Sequence, residues 1–315
     1  MVAPAATRST EGGVYAAALS VPAEEESRRR LVPTARVATI ARDAFREAYG
    51  VPRRPVVIEA LTRTWPAYAT WSVDHLAERV GARRVPVYDS GPARGREHQH
   101  APSGEMRIAE FVERLRTGER DLRIFFLRVV ADLPELTRDF AYPDLGLRFF
   151  DKLSVLFVGG RGARVQMHFD IDRADILLCH FGGRKRVILF APEETPYLYR
   201  VPFSFSALHG VDPETPDHAR FPALARARGE IAELRHGDAL YIPPGYWHYV
   251  IYDEIGLSLS LRALPRRPRD LAVAFVNVVG LRTVDGLMRR VLGQRWNDRN
   301  ERVAVRRTHE RLGLA

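Results

Sequence analysis

His168-Phe169-Asp170, with His248 80 residues further along, is a set of side chains able to hold a divalent metal. Two imidazoles and one carboxylate occupy one face of an octahedral ion and leave the opposite face open, an arrangement suited to iron(II) that takes up a cosubstrate and then dioxygen. Each half closes a run that reads as a β-strand: Ala163-Arg164-Val165-Gln166-Met167-His168, and Ala239-Leu240-Tyr241-Ile242 with Pro243-Pro244-Gly245-Tyr246-Trp247-His248 behind it. Two positions apart on extended chain, His168 and Asp170 point to the same side. His248 has to arrive from a different strand. His98-Gln99-His100 has similar spacing but lies in a Gly/Pro-rich loop with no companion ligand, and reads as solvated loop.

Lysine is the second chemical signal. The chain has 48 basic residues, and only Lys152 and Lys185 are lysine. In so Arg-biased a chain, a retained ammonium suggests a task for a compact charge on a flexible stem.

The elements that must carry these groups follow from periodicity. Residues 1–34 are Ala-, Glu- and Arg-rich and read as an irregular lead-in. Helical spacing appears over Val37–Tyr49, from Ser72 to Val80 with Ser72 as cap, and over Ile108–Leu115. Short strands are expected at Pro55–Ile58, Val85–Tyr88 and Leu122–Val129. Between Leu153 and Leu264 eight strand-like runs follow one another: 153–158, 163–168, 175–181, 186–190, 231–235, 239–243, 248–252 and 257–262. That count predicts a mainly β protein, a double-sheet jelly roll. Residues 191–229 form a Pro-rich insertion of the kind that covers a barrel mouth. In the last strand Ser258, Ser260 and Arg262 share one face and Leu257, Leu259 and Leu261 the other, which makes Arg262 a second cation candidate. The last 50 residues return to helical stripes.

Composition bounds the rest. At 315 residues and 46% hydrophobic content, the chain has ample core for a globular protein. The lone Cys179 gives no internal disulfide, and within an apolar run it reads as a buried thiol. No secretory stretch and no membrane-spanning run is evident, so a cytoplasmic protein without membrane contact is expected. The net charge of +9 is concentrated in 266–315, where 12 Arg face 5 acids. With no nucleic-acid motif beside it, a solvated helical surface is expected there.

Taken together, three blocks resemble the JmjC-type, cupin-like Fe(II)/2-oxoglutarate oxygenases, closer to the asparaginyl-hydroxylase branch than to the histone demethylases. They are the His168–Asp170 motif, Gly183-Arg184-Lys185 with the strand after it, and Gly237-Asp238 through His248. The resemblance covers roughly residues 54–264, and its N-terminal part runs from Arg54-Pro55 through Trp65-Pro66-Ala67 to Trp71. The resemblance implies a double-stranded β-helix over 35–265, with barrel core 150–264, helical N-terminal elements, and a C-terminal helical segment 266–315 that could dimerise. It implies that His168, Asp170 and His248 hold Fe(II), and that Lys185 pairs with the distal carboxylate of 2-oxoglutarate. Dioxygen is the second cosubstrate, and a protein side chain or small molecule would be hydroxylated with succinate and carbon dioxide as coproducts.

Asp175 stands about where relatives often carry Asn. Tyr246, Trp247 and Ser260 are candidates for the pocket wall or the groups behind the ligands. A Tyr or Thr hydroxyl often assists the lysine, yet Ile124–Leu127 and Val165 offer none. That absence favours one alternative, a metal-dependent cupin enzyme without 2-oxoglutarate; a second, a non-catalytic cupin binding module, is opposed by the intact ligand triad.

Overall fold

The computed structural model describes residues 30–89, 101–202, 204–265 and 267–314. The strands are β1 (Leu31–Pro33), β2 (Arg36–Val37), β3 (Val56–Ile58), β4 (Arg84–Tyr88), β5 (Gly104–Arg107), β6 (Arg123–Arg128) and β7 (Phe149–Gly159). They continue as β8 (Arg164–His168), β9 (Asp175–Gly182), β10 (Lys185–Phe190), β11 (Gly229–Leu234), β12 (Ala239–Ile242), β13 (Trp247–Tyr252) and β14 (Gly256–Ala263). One sheet runs β1-β11-β10-β13-β8 and the other β2-β3-β12-β9-β14-β7-β6-β4-β5. Between the eight expected strands of the barrel, every pairing is antiparallel. This is the expected jelly roll.

Period-2 alternation divides the apolar residues among three cores. Inward residues of the two sheets, such as Ile176, Leu178, Leu240, Val187, Leu189 and Val250, meet inside the barrel. The outer face of the larger sheet (Leu177, Cys179, Phe181, Leu257, Leu259) packs on Phe45, Trp71 and two helices, α1 (Val73–Val80) and α2 (Ile108–Arg116). Ser72 caps α1 by accepting a hydrogen bond from the His75 N–H at 3.0 Å. The outer face of the smaller sheet (Ile188, Phe190, Trp247, Tyr249) packs under the 191–229 insertion.

Three expectations are corrected. The stretch 30–34 is not irregular: Leu31–Pro33 pairs in parallel with β11, where backbone ladder bonds outweigh an uninformative composition. The first helix begins only at Arg42, since Arg36–Val37 pairs with β3, and it ends in a π turn over Arg46–Gly50. The rest of the lead-in and His98–His100 lie outside the described residues.

The third correction is at the C-terminus. Pro268–Leu292 forms one helix, α3, of 25 residues, long and apolar enough by length and composition to cross a membrane. Scattered Asp and Arg hide that length from a search for unbroken apolar runs. Its polar side, with Asn277, Arg282 and Asp285, turns to the barrel mouth. The opposite side leaves Phe275, Val284, Leu287 and Val291 exposed. Helix α4 (Gln294–Leu312) then folds back on the insertion, burying Ala304 and placing the Tyr199 hydroxyl 3.2 Å from His309 Nε2.

Candidate metal and cosubstrate site

β8 and β13 are neighbours, and their register sets His248 directly opposite His168. The ring centroids lie 4.1 Å apart. Each Nδ1 faces a backbone carbonyl two residues back, His168 to Gln166 at 2.7 Å and His248 to Tyr246 at 3.2 Å. A carbonyl only accepts, so each Nδ1 carries the proton and each Nε2 keeps its lone pair. Burial lowers both imidazole pKa values, His248 to about 3. Burial also works to raise the Asp170 carboxyl, but Arg262 and then the two histidines outweigh it and hold it at about 2. Two neutral imidazoles and one carboxylate therefore converge, the donor set that suits a divalent first-row metal.

The set is looser than a closed shell. His248 Nε2 lies 3.9 Å from Asp170 Oδ2, whereas neighbouring ligands on one metal with bonds of about 2.1 Å sit roughly 3 Å apart. Among the described residues no three His, Cys, Asp or Glu side chains are gathered tightly enough to enclose an ion. The other Asp170 oxygen, Oδ1, is 3.2 Å from Arg262.

Arg262, the second cation candidate, is buried, with its guanidinium donating to both oxygens of Asp172 at 2.7 Å as well as facing Asp170. Burial would strip its proton more easily, but the two carboxylates more than reverse that and raise its pKa. The charge survives inside because it is paired on both sides.

A cavity of about 470 Å³ opens from these residues. Lys185, Ser260 and Arg262 are on its wall. β13 carries His248, Val250 and Tyr252 inward, so the metal set and the Lys185 level are four residues apart, about 13 Å along the strand. Lys185 Nζ donates to Tyr252 Oη at 3.2 Å and to Ser258 Oγ at 2.9 Å. Burial lowers its pKa to about 7. These are the hydroxyls sought in vain on β6 and β8. Period 2 from His248 points to Tyr252, and Ser258 shares the face of Ser260, so both signals were present in the sequence.

β6 gives rings instead. A bulge between Ile124 and Leu127 brings both Phe125 and Phe126 to the cavity, and Phe126 sits at φ 58°. A bulky residue there costs on the order of 1–3 kcal/mol. Phe125 packs on Tyr88 and Phe157, each at 5.5 Å between centroids. Across the cavity Phe205 stacks on His168 at 6.1 Å.

The side chains of three candidates lie off the cavity wall. Asp175 starts β9 on the face opposite Ile176 and Leu178, where it accepts a 2.6 Å hydrogen bond from the Tyr241 hydroxyl. Trp247 points outward and donates to Thr195 Oγ1 at 2.9 Å, since alternate residues of β13 change face. The Tyr246 side chain packs at the margin of the barrel core, outside the cavity wall, while its carbonyl stands behind the ligand set, 3.2 Å from His248 Nδ1.

A family description, cupin-like domain, matches residues 41–275. The chain belongs to the cupin-like domain family. Cupin-like relatives include "Lysine-specific demethylase 8" of Danio rerio, 32% identical over 69% of this chain and 55% of its own length. The human "tRNA wybutosine-synthesizing protein 5" is 28% identical over 73% of this chain and 77% of its own. "JmjC domain-containing protein D" of Dictyostelium discoideum is 28% identical over 65% and 50%. The chain thus spans about half the length of the demethylase and Dictyostelium relatives. Kinship with JmjC proteins supports an enzyme of oxygenase type.

Proposed function

We propose that this cupin-like protein is an Fe(II)- and 2-oxoglutarate-dependent oxygenase that hydroxylates a C–H bond of a protein side chain or small molecule. The observation that carries the reading is the paired placement of the His168–Asp170–His248 set and the buried Lys185 ammonium, one above the other in a single cavity. When bound, iron and the 2-oxo acid supply oxidation by dioxygen, with succinate and carbon dioxide as coproducts. His168, Asp170 and His248 would hold the metal, with the backbone carbonyls of Gln166 and Tyr246 fixing both imidazole tautomers. Lys185 would receive the distal carboxylate, where Tyr252 still has its own hydroxyl proton to donate. The rings of Phe125, Phe126, Phe157 and Phe205 would exclude water and shape the substrate's approach.

Relatives are named for lysine demethylation and for tRNA wybutosine synthesis, so the barrel itself does not select the substrate. The alternative without 2-oxoglutarate rested on missing hydroxyls, and the Tyr252 hydroxyl beside Lys185 supports the 2-oxoglutarate reading over it.

The test is an anaerobic titration of Fe(II)-loaded protein with 2-oxoglutarate, following the visible charge-transfer band of the chelate. A band absent in His168→Ala and Lys185→Ala is the expected result. Bound iron with no band in the wild type refutes the cosubstrate, and no bound iron refutes the metal set.

A further inference from the structure

We propose that His180, acting through Ser258, is a positioning residue that aims the Lys185 ammonium at the far carboxylate of a 2-oxo dicarboxylic acid. The inference rests on the reading of Lys185 as cosubstrate anchor.

The bonding order is fixed from the outer end. His180 Nε2 lies 2.8 Å from the Gly183 carbonyl, which can only accept, so Nε2 carries the ring proton. A neutral imidazole has one N–H, and Nδ1 is left with a lone pair. Nδ1 is 3.0 Å from Ser258 Oγ, so the serine hydroxyl hydrogen points at it. The oxygen then turns its lone pairs toward Lys185 Nζ at 2.9 Å and acts there only as an acceptor. Tyr252 Oη accepts a second ammonium hydrogen, and its ring centroid lies 4.4 Å from Nζ. Two of the three N–H directions of a tetrahedral ammonium are thereby fixed, and the third is left for the cavity.

Without His180 the Ser258 hydroxyl could rotate and present its hydrogen to the ammonium, competing with the ligand instead of supporting it. Bulk solvent does not reach the contact: His180 and Ser258 are fully buried and Lys185 nearly so. The backbone clears the space for these groups. A Cβ on Gly256 would fall 2.8 Å from His180 Cε1, and one on Gly159 2.6 Å from the Tyr252 ring. The two glycines are paired directly across β14 and β7. Burial, then the neighbouring Lys185 charge, keep the ring neutral by lowering its pKa to about 3. The Leu257 carbonyl also lies near the ring and is the competing acceptor for a proton on Nδ1.

The experiment uses the full chain loaded with Mn(II), titrated with 2-oxoglutarate and separately with pyruvate, a 2-oxo acid that has no distal carboxylate. His180→Phe is expected to lose roughly tenfold in 2-oxoglutarate affinity, the scale of one hydrogen bond to a charged group. Pyruvate and Mn(II) affinities stay unchanged. His180→Asn, which keeps an acceptor where Nδ1 stood, recovers most of the loss. The ¹⁵N imidazole spectrum of the wild type shows the Nε2–H tautomer. Equal 2-oxoglutarate affinity in His180→Phe, a parallel loss for both acids, or an Nδ1–H tautomer overturns the positioning role. Wild-type protein that binds Mn(II) but neither acid overturns the oxygenase reading and this role with it. If His180→Phe does not fold, the Asn variant and the tautomer measurement decide.

Discussion

Replacing Lys185 by Met tests what the buried ammonium costs. Its pKa falls from 10.5 to about 7, with burial as the cause. At about 1.4 kcal/mol for each tenfold, keeping the proton inside costs about 5 kcal/mol at pH well below 7. The unfolded lysine still binds its proton where the folded one has released it. Between pH 7 and 10.5 the unfolded state therefore holds more protons, and stability of the unliganded protein rises with pH. From pH 7 to pH 9 the gain is about 2 kcal/mol, on the order of 5 °C in Tm. Met carries no proton and shows no such rise. The assay is thermal or urea unfolding of wild type and Lys185→Met, without ligand, at pH 7, 8 and 9. Taking the difference at each pH cancels every other titrating group. Wild type is expected to gain on the variant by about 2 kcal/mol over that span. The same proton governs the ligand: wild-type affinity for 2-oxoglutarate is expected to fall about tenfold per pH unit above 7. A wild-type–variant gap that stays constant from pH 7 to 9 refutes the reasoning, because Lys185 would then not be a desolvated ammonium.

Arg262→Met leaves Asp170 without its guanidinium partner and is expected to weaken Mn(II) binding by about 10- to 100-fold without abolishing it, read by calorimetry. Gly159→Ala drives a methyl into the Tyr252 ring, and is expected to destabilise by about 1–3 kcal/mol and to weaken 2-oxoglutarate more than pyruvate. The exposed apolar side of α3, with Phe275 and Val291 more than 60% accessible, is expected to pair with a second copy. Sedimentation should give a dimer that Leu287→Glu returns to monomer; a monomeric wild type at micromolar concentration refutes it.

How much could be read in the chain depended on whether a signal was local. The eight barrel strands and the face shared by Ser258, Ser260 and Arg262 are local alternation, and the structure has them. His168, Asp170 and His248 could be named because their residue types are rare in apolar strands; that two neighbouring strands set the histidines opposite one another needed the register. Asp175 was legible as a polar residue among apolar ones but not as an outward one, since its partner Tyr241 comes from a strand 66 residues away. Arg262 was legible as a cation sharing a face with Ser260, but the carboxylates that let it stay charged inside lie about 90 residues earlier. Tyr252 was legible and overlooked, being sought on the strand where relatives carry a hydroxyl. The stripes of α3 were visible as periodicity, but periodicity does not say whether a face is covered.

The strand order has a consequence for how the protein comes to exist. β3 pairs with β12, and β8 lies at a sheet edge beside β13, so nearly every stretch of barrel wall joins segments distant in sequence. Chains dominated by such non-local pairing fold slowly, in milliseconds to seconds. His168 and Asp170 leave the ribosome about 80 residues before His248, and Lys185 has neither Tyr252 nor Ser258 until β13 and β14 are added. A partial chain without β13 and β14 lacks His248 and both partners of Lys185, so under the proposed function uptake of metal and 2-oxo acid would report that the last strands have docked.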